Sequence, residues 1–238
     1  MRFRGGAAAV VAAVLVAGLA GCGESGGGGR GDAGAGDAKS SAEPSEPSEP
    51  SAKSSSEPSA AASSGSAFTP LPSAELQGRW WSWAAREPAA TNPVMDKDGS
   101  DCERNQKWDV WFLAGSFGTK ERRTCTVPDN VQLAFPLANL MTPDEQDCAV
   151  FMEQAKGSAH LDGKALEAQT HPVEGIMVEG VAGNPVTDTD QTLITKGCGL
   201  WVQLPPLKAG SHSLKIRGEA DDLSVAVDYT LKVEAAQG

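Results

Sequence analysis

Histidine and tyrosine are scarce: 238 residues contain three His and one Tyr. Within 67–238 no H-E-x-x-H, G-x-S-x-G or Walker loop occurs, which excludes the motif-bearing metalloproteases, α/β-hydrolases and P-loop nucleotidases for that part of the chain. A Ser-His-Asp triad stays open, because its members can lie far apart in sequence. There is no C-x-x-C pair, which argues against zinc. Cys198 and His212 are too far apart in sequence for a blue-copper loop. No apolar run reaches the roughly 20 residues of a spanning helix. The stretch 23–66 has no aromatic residue and no Leu, Ile or Val. Positive charge is in deficit, with a formal net charge of −11. Within 67–238, 15 Lys and Arg stand against 24 Asp and Glu, a net of −9. An acidic domain repels phosphate backbones, so nucleic acid is not an expected partner.

What is present begins with export. Arg2 and Arg4 precede the apolar run 7–20, AAAVVAAVLVAGLA, and small residues follow. This is the pattern of a secretory signal peptide over 1–21. Leu19-Ala20-Gly21-Cys22 is similar to the lipobox of bacterial lipoproteins. That likeness implies a diacylglyceryl thioether on Cys22, cleavage before it and acylation (palmitate or a similar chain) of the new amine. Two or more acyl chains give stable anchoring. The chain is therefore expected on the outer face of the cell membrane, held there by lipid.

Residues 22–66 then read as a tether. Glu-Pro-Ser recurs at 43, 46, 49 and 57 in a Gly/Ser/Ala background. Such a composition does not offset the entropy of ordering, so a disordered linker spanning some tens of ångströms is expected. Arg30-Gly31-Asp32 is ascribed to that composition rather than to adhesion.

Residues 67–238 are long enough for one domain with its own core. Leu76, Trp80, Trp83 and Ala84 share a helical face, so the spacing predicts a helix over 73–87 with Ser73 as N-cap and Pro88 as stop. A strand presenting Trp81 and Trp83 is the alternative. A second helix is predicted over 142–156, with Thr142 as cap, Pro143 at the first position and Glu145 completing a capping box. Its apolar face is Cys148, Phe151, Met152 and Ala155. Strands are predicted at 109–113, 124–127, 131–135, 159–161, 173–178, 192–195, 200–204, 213–217 and 223–233. The whole reads as mainly β: an antiparallel sandwich or jelly roll with two short helices near its start.

Four cysteines remain after Cys22, an even number in an exported chain, which favours two disulfides. Of three possible pairings, Cys102–Cys125 and Cys148–Cys198 are preferred. The first closes a local loop and the second pins the helix at 142–156 to the sheet.

WWSWA, NPVMDKDGSDC, NQKWDVWFLAGSFG and RRTCTVPDNVQLAFPLAN, followed by LDGK, LWVQLPPLKAGSHSLKIRG and VDYTLKV, span nearly all of 74–234. This pattern resembles a group of exported actinobacterial proteins labelled only as secreted or signal proteins. The group implies no established activity, so the resemblance transfers no catalytic residue. Related chains carry Asp-Gly where this one has Cys198-Gly199, which supports an additional disulfide to Cys148 here.

Two features invite a ligand. Asp96, Asp98, Asp101 and Glu103 crowd one loop and make weak calcium candidates, although Gly99 comes too early for an EF-hand. Six tryptophans are many for one domain. Most belong in a core, but Trp81, Trp108 and Trp201 are candidates for a solvent-facing platform that stacks on sugar rings. No cofactor and no catalytic residue is implied. The expectation is an envelope binding or scaffolding module for a glycan or another exported protein. The alternative is a hydrolase pairing an acid of the 96–103 loop with a histidine.

Overall fold

The computed structural model describes residues 68–235. The signal peptide, the lipidation of Cys22 and the tether lie outside the described residues.

The described chain is mainly β, in three layers. Sheet A has the order β1 (Val110–Phe112), β3 (Gln132–Thr142), β7 (Leu193–Leu204), β6 (Gln169–Val178). Sheet B has the order β2 (Lys120–Pro128), β9 (Leu223–Glu234), β8 (Gly210–Ala220), β4 (Lys156–Leu161), β5 (Lys164–Leu166). One core fills the space between the sheets and includes Leu133, Phe135, Val202, Ile216, Val227 and Leu231. A second core lies between sheet A and helix α1 (Ser73–Ala85), built on Leu76, Trp80, Trp83, Phe112 and Trp201. Alternation along β7 makes this possible. Trp201 turns to α1 while Val202 turns to sheet B.

The sheets are mixed rather than wholly antiparallel. β1 pairs with β3, and β2 with β9, in parallel; the other pairings are antiparallel. The cause is topological. After β1 the chain crosses to the other sheet to form β2, then returns, so β3 enters beside β1 in the same direction.

The apolar face expected of α1 is buried as read. Its start differs by one residue. Pro72 is the extended N-cap, and its carbonyl accepts from the Leu76 N–H at 2.8 Å. Ser73 is already helical, with its Oγ taken by Gln77 Nε2. Gly78 fits because β6 lies close: a Cβ there would sit 3.2 Å from the Met177 carbonyl oxygen.

Helix α2 (Glu145–Gln154) lies between β3 and β4, so only one of the two helices is near the domain's start. It is shorter than expected and capped by Asp144, whose Oδ1 accepts from Gln146 N–H. Thr142 cannot be the cap, because it ends β3 in register with Lys196. Its hydroxyl instead accepts from Asp144 N–H and donates to Asp147. Of the predicted apolar face only Cys148 is buried.

Both disulfides form in the preferred pairing. Cys102–Cys125 ties the loop before β1 to β2, and Cys148–Cys198 ties α2 to β7. Two disulfides fit an oxidising, extracytoplasmic environment. Among the described residues no helix is long and apolar enough to cross a membrane.

The sheets approach closely at a bulge in β3 between Pro136 and Ala138. There Leu137 presses on Gly157 and Gly218, which face each other across β4 and β8. A Cβ at residue 218 would fall 1.8 Å from the Leu137 carbonyl oxygen, so only glycine fits.

Candidate ligand-binding groove

The loop from 93 to 107 builds one side of the site, and a buried cation fixes it. Arg123 on β2 is 2% exposed. Its guanidinium donates to the carbonyl oxygens of Val94, Asp96, Ala114 and Gly115 and to the Tyr229 hydroxyl, at 2.7–3.1 Å. Tyr229 in turn bonds both the N–H and the carbonyl of Ala114. Burial pushes the Tyr229 phenol above its ordinary pKa, so it stays a neutral donor. A carbonyl cage thus holds the charge in place of a carboxylate, and it joins the loop, the end of β1, β2 and β9.

The four acidic candidates of this loop do not converge on one point. The Asp96 carboxylate accepts from the backbone N–H groups of Asp98, Gly99 and Asp101 at 3.0–3.1 Å. Asp98 accepts from Ser100 N–H, which holds its carboxyl below the usual range. Asp101 is ion-paired to Arg104, and Glu103 points to solvent. Asp96, Asp98 and Asp101 thus serve the loop's own turns. Among the described residues no three His, Cys, Asp or Glu side chains converge at metal-holding distance.

The far end of the loop meets α1. Trp83 Nε1 donates to the Arg104 carbonyl at 2.8 Å, and Asn105 Nδ2 donates to Glu87. Asp109 forms a two-pronged ion pair with Arg79 at 2.7 and 2.8 Å. That hydrogen bond holds the Asp109 carboxyl below its ordinary pKa and raises Arg79.

Between α1, β6 and this loop runs a groove of about 450 Å³. Helix α1 contributes Arg79, Ser82 and Trp83, and its C-cap residue Arg86 lines the groove beside them. The loop contributes Asn105 and Lys107, and the β6 side contributes Met177 and Glu179. Arg86 pairs with Glu179 across the groove. The floor is therefore aromatic and apolar, and the walls carry amide, hydroxyl and charged groups.

The three candidate platform tryptophans separate. Trp108 is 95% exposed, between groove-lining Lys107 and Asp109, the partner of Arg79. Trp81 is half-buried with its ring edge-on to Trp80 at 5.0 Å. Trp201 is 0% exposed and edge-on to Trp80 at 5.7 Å, so it is a core residue and not a platform. Its phase on β7 turns it under α1, where no ligand reaches.

The histidines take other roles. His212 Nδ1 lies 2.7 Å from Asp162 Oδ2, and its Nε2 lies 2.8 Å from the Lys208 carbonyl oxygen. The Asp162 hydrogen bond raises the His212 pKa and lowers that of Asp162. Both ring nitrogens face acceptors, and Ser213 Oγ contacts the carboxylate rather than the ring. The trio is therefore a turn clamp and lacks the nucleophile-to-base bond of a triad. His171 is buried beside Trp201, and burial lowers its pKa. Neither of these histidines is bonded to the acidic loop.

The Arg79–Asp109 clamp was not foreseen. Its signal was present in part: Arg79 lies four residues from both Glu75 and Trp83, on the rim of the apolar face. In comparisons with protein-family models, curated proteins and solved structures, the chain matches none.

Proposed function

We propose that this chain is an exported, lipid-anchored binding module of the cell envelope, holding an envelope glycan in the α1–β6 groove with Trp108 at its lip. Lipidation at Cys22, the signal peptide and membership of the exported actinobacterial group belong to the same proposal. Support for the compartment comes from the two disulfides and the lipobox. Trp108 carries the binding reading. A fully exposed indole costs hydration free energy, and its backbone neighbour Asp109 is clamped so that the loop does not fold it away. An indole face stacks on the apolar face of a sugar ring. Asn105, Lys107 and the Arg86–Glu179 pair supply donors and acceptors beside it for hydroxyl groups.

The test follows tryptophan fluorescence of the full chain in detergent, titrated with purified envelope glycan. A saturable shift in the parent that disappears in Trp108→Ala is expected. An equal shift in both proteins removes the groove from the account.

A further inference from the structure

A second, smaller cavity lies against a different side of α1. It measures about 90 Å³ and is walled by Trp80, Val94, Pro136, Leu137, Val186 and Val225. Half-exposed Phe117, from the β1–β2 connection, also lines it. No charged side chain does. Two further lining residues are Trp81 and Asn139. Trp81 Nε1 and Asn139 Nδ2 are both shut from solvent and lack a hydrogen-bond partner. Among the described residues five buried side-chain polar atoms share that condition, and two of the five belong to this one cavity. The remaining hydroxyl in the wall, Ser116 Oγ, is already spent on the Thr119 carbonyl.

This combination specifies a ligand chemistry. Buried donors without acceptors are costly and are retained where something else satisfies them. An apolar wall without a cation disfavours a carboxylate or phosphate. A carbonyl oxygen has two lone pairs and accepts two donors at once. A single water fills roughly 10–15 Å³ of such space, so the cavity has room for a group of up to roughly six to nine heavy atoms. We propose that this cavity binds a short acyl amide, an N-acetyl group, with its carbonyl oxygen accepting from Trp81 and Asn139 and its methyl against the apolar wall. The site is separate from the groove beside Trp108 and does not depend on it. Two sources supply that chemistry, an N-acetylated sugar and an acylated peptide.

The experiment reads the indole N–H signals of the six tryptophans in the ¹⁵N-labelled full chain in detergent micelles, with Trp81 assigned by its loss in Trp81→Phe. The probes are N-acetylglucosamine and N-acetyl-L-alanine methylamide, with glucose as the control. The Trp81 signal should move downfield and saturate with at least one N-acetyl probe and stay fixed with glucose. Response to the sugar alone or the peptide alone identifies the source; response to both identifies the shared group. Trp81→Phe and, independently, Asn139→Ala should each weaken binding about fivefold, the loss of one hydrogen bond. A Trp81 signal that stays fixed at tens of millimolar probe overturns the proposal. So does movement confined to Trp108, or unchanged affinity in both variants.

Discussion

Replacing Arg123 by methionine should be among the most damaging single changes to the domain. The variant keeps the apolar stem and removes five hydrogen bonds, four of them to backbone carbonyls. A bond from a charged donor contributes about 1.5–3 kcal/mol, and a carbonyl left buried without a partner costs a similar amount. Water entering from the loop side relieves part of this, so about half the bonds are counted. The expected loss is about 4–7 kcal/mol, against a total stability of about 5–15 kcal/mol for a domain. Arg123→Lys keeps the charge but concentrates three donors on one nitrogen, which does not span the cage, and should lose about 2–4 kcal/mol. Arg122→Ala is the control: it is exposed on the opposite face of β2 and should stay within about 0.5 kcal/mol of the parent. The assay is urea unfolding with the disulfides intact, followed by tryptophan fluorescence and far-UV circular dichroism, comparing midpoints at constant slope. A methionine variant within about 1 kcal/mol of the parent would refute the claim that this cage organises the loop.

Three other outcomes follow from particular contacts. The Asp162–His212 pair sets a pH window. His212, raised in the folded state, contributes stability that is full below the unfolded value of about 6.5 and fades as pH rises through its folded pKa. Asp162, lowered, contributes above about 3.9 and fades as pH falls through its folded pKa. The pair therefore helps most between those limits. The NMR titration midpoint of His212 should lie above 6.5 and fall towards it in Asp162→Asn. A midpoint unaffected by that change would remove the clamp. Replacing Cys148 and Cys198 together by serine opens a loop whose ends are 50 residues apart, a loss of about 4 kcal/mol on the chain-entropy account, read as a lower urea midpoint. An unchanged midpoint would contradict that account. Calcium should leave the melting temperature unchanged, whereas Asp96→Ala, which frees three loop N–H groups, should lose about 2–3 kcal/mol. A calcium-dependent rise would restore the acidic loop as a metal site.

The sequence disclosed the elements better than their partners. The two helices, the sandwich class and both disulfides were legible, because 3.6-residue and two-residue periodicity and the parity of cysteines are local signals. The two parallel pairings were not, since they arise from where the chain crosses between sheets. Arg123 carried no sequence expectation beyond its place beside Arg122. Yet the alternation that buries Cys125 and Val127 also buries residue 123 when the strand is carried two residues back. Trp201 and Trp108 carry the same side chain, but Trp108 stands between Lys107 and Asp109 and Trp201 between Leu200 and Val202. That local contrast, with the phase of β7 under α1, separates the core residue from the exposed one. The groove itself was invisible, because it is made where α1, β6 and a distant loop meet. The acidic loop gives a double signal for a physical reason: carboxylates that cap their own turn have the same spacing as weak cation ligands.

The most direct measurement of the central claim is co-sedimentation of the full chain with insoluble cell-wall fragments, parent and Trp108→Ala side by side. The account predicts saturable retention of the parent and a loss of about tenfold or more in affinity for the variant, equivalent to about 1.4 kcal/mol for one stacked indole. Equal retention of both proteins, or retention of neither, would contradict it.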